Sequence, residues 1–144
     1  MSASFNGLAR RESARAALAG IGLRYALAAL CCGIFAFVYE QFSHGVWSAA
    51  MVFAFAFPLA GALPFLAMAA ARRCPPRRAA SEALWHAGVA TLTVGSLFSG
   101  ALEIYGTTNR LTIVYVLAGA LLVASAAALW LAGAARNKKS PEAA

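Results

Sequence analysis

The chain has no aspartate and only five acidic residues, all glutamate, and charged side chains make up 12% of its 144 positions. A soluble domain carries charge on about a quarter of its residues. Water is therefore excluded as the solvent for most of this surface. Cysteine is scarce too, with Cys31 and Cys32 adjacent and Cys74 apart. Adjacent positions on a helix point about 100° apart, so the pair forms neither the usual redox couple nor a metal clamp. Without a Cys-x-x-Cys motif, the thiols read as small polarizable packing residues. Histidine occurs only at His44 and His86. Gly-x-Ser-x-Gly, a phosphate-binding glycine loop and His-Glu-x-x-His are all missing. The sequence names no catalytic residue, and it does not read as an enzyme.

Apolar residues make up 62% of the chain and fall into four blocks. A hydrocarbon core of about 30 Å needs about 20 apolar residues at 1.5 Å rise each. The spacing predicts spans over about 22–42, 46–71, 83–105 and 111–135, the first with Arg24 snorkelling to the interface. The expected fold is all-α, an integral membrane bundle of four transmembrane helices arranged as two antiparallel hairpins. Residues 1–21 then form a basic N-terminal segment, read as a tail rather than an interfacial helix, and 136–144 a basic tail.

Eleven of the twelve Lys and Arg residues flank the same side of these spans, and only Arg110 lies on the other. Short loops follow the positive-inside rule. Both termini are expected in the cytoplasm, with the chain in a cell inner membrane. Arg72, Arg73, Arg77 and Arg78 surround Pro75 and Pro76 in a stiff elbow, where they pair with anionic lipid headgroups at about 1 kcal/mol each. No aromatic residues alternate with these arginines, which argues against nucleic acid.

Local signals refine the bundle. Pro58 and Pro64 predict a kink or local unwinding in the second span around Phe57 and Leu63. Ser81 offers an N-cap to the third helix, followed by Glu82. In that helix Thr91, Gly95 and Ser99 recur at steps of four, as do Ser96 and Gly100, which suits close packing and hydroxyl bonds across an interface. In the fourth span Ala120, Ala124 and Ala128 suggest a packing row.

Ionisable groups concentrate at the end away from the arginines. If the first helix continues to His44, Glu40 and His44 share a face, and Gly45 then ends the helix. If the first and third helices are neighbours, Glu103 joins them. Two carboxylates and an imidazole suit a divalent metal or proton exchange; no other cofactor is implied. His86 falls at the opposite end, about a bilayer thickness from His44, so the two share no single haem iron.

The segments Ser43-His44-Gly45-Val46, Phe57-Pro58-Leu59, Leu84-Trp85-His86 and Glu103-Ile104-Tyr105-Gly106 resemble those of small four-span bacterial inner-membrane proteins. The likeness runs from about Tyr39 to Val116 and implies the fold without an activity. Three readings of function follow. One is a small transport or ion-binding protein using Glu40, His44 and Glu103. A second is an accessory protein that packs on a membrane partner or on itself as a homo-oligomer. The third is a redox or haem protein.

Overall fold

The computed structural model describes residues 2–43, 45–70, 79–107 and 109–139, with side chains described between 12 and 135. The elements are α1 (Ser2–Gln41), α2 (Ala49–Val52), a 3₁₀ turn (Phe53–Phe55), α3 (Ala56–Ala70), α4 (Ala79–Ile104) and α5 (Thr112–Lys139). Four helical stretches are long and apolar enough to cross a membrane: Glu12–Gln41, Ala49–Ala70, Ala79–Ile104 and Thr112–Ala135. The protein is an all-α membrane bundle. His44, Cys74 and the elbow arginines Arg72, Arg73, Arg77 and Arg78 lie outside the described residues.

The first helix is longer than the sequence suggested. It runs unbroken from Ser2, about 60 Å at 1.5 Å per residue, so nothing in the backbone separates a tail from a span at residue 21. Leu18 and Ile21, placed by the sequence in that tail, are buried against Phe65 of α3. At its other end α1 stops at Gln41, before His44. The Phe42 and Ser43 N–H groups close short turns onto the Tyr39 and Glu40 carbonyls, and Gly45 takes a φ of 90°. The helix on which Glu40 and His44 were expected to share a face thus ends before His44, which lies outside the described residues.

The second span is broken in the first of the two places that its prolines mark. The 3₁₀ turn Phe53–Phe55 sits within one turn before Pro58, where the ring would meet the Ala54 carbonyl of a continuous α-helix. The Ser96 hydroxyl of α4 donates to the Ala50 carbonyl at 2.6 Å. Pro64 lies inside α3 without ending it. One residue beyond the Ala60 carbonyl that Pro64 cannot serve, the Gly61 carbonyl accepts the Trp85 indole N–H at 3.0 Å.

The helices pack as a row. α1 lies against α3 and the 3₁₀ turn; α4 touches α2, α3 and, most extensively, α5. One ring from each helix meets at Phe65, which is fully buried: Tyr25 at 6.0 Å, His86 stacked at 5.4 Å and Trp130 edge-on at 5.8 Å. Helix α4 starts at Ala79, so Ser81 falls in its first turn rather than at the cap.

Glycines set the α4–α5 seam. A Cβ at Gly88 would come within 2.9 Å of the Val123 backbone nitrogen, and one at Gly95 within 2.5 Å of the Tyr115 Cβ. Gly100 lies instead against the Met51 backbone of α2, while the Thr91 hydroxyl is spent on the Ala87 carbonyl of its own helix. On α5 the seam is Gly119, Val123 and Ala126, whereas Ala120, Ala124 and Ala128 are exposed. The expected alanine row thus points outward, because the helices close where two glycines, Gly88 and Gly119, let the backbones touch. Gly88→Val should lower stability by about 1–3 kcal/mol through overpacking. Ala124→Leu, on the exposed face, should change it by less than about 0.5 kcal/mol. Thermal unfolding in detergent compares them, and equal melting temperatures would contradict this seam.

Candidate carboxylate site

The cluster at the far end of the bundle is built around a residue that sequence reasoning passed over. Ser48 precedes α2 in extended conformation, φ −113° and ψ 115°, and its Oγ accepts the Met51 N–H as an N-cap. It is completely buried. Its backbone N–H donates to Glu40 Oε1 at 3.2 Å, and its hydroxyl donates to Glu103 Oε2 at 2.6 Å. The second distance is in the range for a hydroxyl bonded to an anion.

Glu40 and Glu103 are therefore brought to one point through a serine. Direct packing of their helices is not what joins them, since α1 rests chiefly on α3 and α4 on α5. Glu40 is half-buried at the end of α1 and Glu103 exposed near the end of α4. The Ser43 hydroxyl holds the Glu40 carbonyl at 2.8 Å, closing the end of α1 below the carboxylate. Beyond Glu103, α4 ends in a Schellman turn: Gly106 N–H bonds to the Glu103 carbonyl, Thr107 N–H to the Leu102 carbonyl, and Gly106 has φ 71°.

Arg110 stands apart from this network. It lines a crevice of about 530 Å³ together with Ser96, Ser99 and Thr112, between α4 and α5. Among the described residues no three His, Cys, Asp or Glu side chains gather, and His44 is not among those residues. A carboxylate has about four lone-pair positions. Ser48 occupies one on each glutamate, so the pair retains oxygen donors that suit a hard cation or a proton.

Three other residues considered at sequence level, Cys31, Cys32 and His86, sit elsewhere. Cys31 is exposed and Cys32 half-buried on α1. The His86 Nδ1 lies 2.7 Å from the Tyr25 hydroxyl, about 25 Å along the helices from the carboxylates. Sequence reading missed Ser48 because the second span was begun at Val46, which put this serine inside an apolar run. The signal that could have found it is the N-cap pattern of a serine ahead of Ala49-Ala50-Met51.

The site and fold define a polytopic helical membrane protein with a paired-carboxylate junction. No protein-family model, no curated protein and no solved structure matches the chain.

Replacing Ser48 by Ala removes the helix cap and the hydroxyl bond to Glu103, but keeps the N–H to Glu40. Loss of a cap costs about 1 kcal/mol and loss of a bond to a charged group about 1.5–3 kcal/mol. Ser48→Ala should therefore melt well below the wild type in detergent, with Ser48→Thr closer to it. A Ser48→Ala protein as stable as the parent would show that the serine does not clamp this junction.

Proposed function

We propose that the protein is a small inner-membrane transport or ion-binding protein, with both termini in the cytoplasm, that takes a cation at the Glu40–Ser48–Glu103 junction on the far face. What carries the reading is the bonding of two carboxylates from separate helices to one buried serine at the head of the broken span. Two carboxylates held to a single residue offer oxygen ligands that a cation could share. Binding there changes the forces on Ser48, which begins the one span whose helix is interrupted.

Gly95 packs on Tyr115 and Gly100 on Met51 within the same chain.

Two measurements test the proposal. Purified protein should gain thermal stability on addition of Zn²⁺, Ca²⁺ or Mg²⁺, and Glu40→Gln and Glu103→Gln should each abolish the gain while remaining folded without the ion. Wild-type melting insensitive to all three ions and to proton concentration would end the reading. Reporter fusions at residue 144 and in the loop between α4 and α5 should report cytoplasmic and non-cytoplasmic locations respectively; the reverse pattern would invert the site.

A further inference from the structure

At the aromatic end a second feature stands apart from the carboxylates. Because α1 rests chiefly on α3 and α4 chiefly on α5, a groove of about 420 Å³ opens between α1 and α4, floored by Pro58. Its walls are mostly hydrocarbon, from Ile21, Ala28, Val89 and Val94; the Thr93 hydroxyl among them is bonded to the Val89 carbonyl of its own helix, and two further polar features interrupt the walls. One is the Tyr25–His86 hydrogen bond, 2.7 Å long. The other is Arg24, exposed at the rim and the one cation among the lining residues.

Depth gives that arginine its meaning. Arg24 lies sixteen residues before Glu40 on one continuous helix, about 24 Å along the axis. With Glu40 at one interface of a hydrocarbon core about 30 Å thick, Arg24 falls several ångströms short of the other. A guanidinium at that depth needs an anion or must reach for the surface, and its planar fork matches a phosphate in two parallel hydrogen bonds. The groove runs from beside His86 toward Val94, about 12 Å deeper along α4. A head that is anionic and a tail that is apolar are thus called for in that order.

We propose that this groove is a binding site for one anionic phospholipid of the surrounding leaflet. Its phosphate would pair with Arg24, its glycerol region would lie beside the Tyr25–His86 pair, and an acyl chain would fill the space between Ala28, Pro58 and Val94. Charge complementarity selects this occupant over a second copy of the chain, which brings its own surplus of positive charge, +7 at neutral pH, to a cationic rim.

Native mass spectrometry and thermal unfolding of the full chain test the assignment, with phosphatidylglycerol, phosphatidylcholine and inorganic phosphate as probes. One phosphatidylglycerol should stay bound and raise the melting temperature; phosphatidylcholine should bind about tenfold or more weakly, and inorganic phosphate should have no effect. Arg24→Gln should erase the preference for the anionic lipid. Ala90→Phe, at an exposed wall position, should fill the groove and displace the lipid with the fold intact, and Ala28→Phe serves the same purpose from the other wall should Ala90→Phe not fold. Equal retention of both lipids by wild type and Arg24→Gln would overturn the proposal. So would stabilisation by inorganic phosphate alone, or a dimer that Ala90→Phe or Ala28→Phe converts to monomer.

Discussion

In hydrocarbon a backbone polar group without a partner costs several kcal/mol, and the second span of this protein carries two prolines that each remove one. Much of the cross-helix hydrogen bonding gathers on that span. Ser96 reaches the Ala50 carbonyl beside the 3₁₀ break, Trp85 reaches the Gly61 carbonyl beside Pro64, and Glu40 and Glu103 reach Ser48 at the span's head. Each bond comes from a neighbouring helix and ends on the backbone or cap of the same interrupted element. The irregular span is thus tied to the helices on both sides of it.

Packing then divides the bundle into two ends of different character. At one end the contacts are aromatic, with Phe65 at the meeting point of all four helices. At the other they are polar and centred on Ser48. Between the two ends, glycines allow α4 to approach α5 at Gly88 and Gly95 and α2 at Gly100. Helix α4 is thus the element through which the polar end, the seam and the aromatic end are connected.

Much of the architecture was legible in the residues. Four blocks of uninterrupted apolar sequence can do little other than form four helices, and Pro58 announced a break whose position follows from the ring's reach one turn back. Legibility stopped where a side chain's fate depends on rotation about a helix axis. Ala120, Ala124 and Ala128 recur as regularly as the true seam, and alanine is as acceptable to lipid as to a neighbouring helix. The Tyr25–His86 pair joins residues 61 apart, and no local pattern encodes it. Glu40 and Glu103 stood out as ionisable groups at span ends; their shared partner did not, because an apolar run hid the start of α2.

The unbroken first helix has a consequence for how the molecule sits. At about 60 Å it is twice as long as a hydrocarbon core is thick, and Ser2–Gln41 contains no hinge. Any lean that fits its buried half to the bilayer swings the other half like the far arm of a rigid beam. Residues 10, 11 and 15 therefore share whatever inclination the membrane-spanning part of the helix takes.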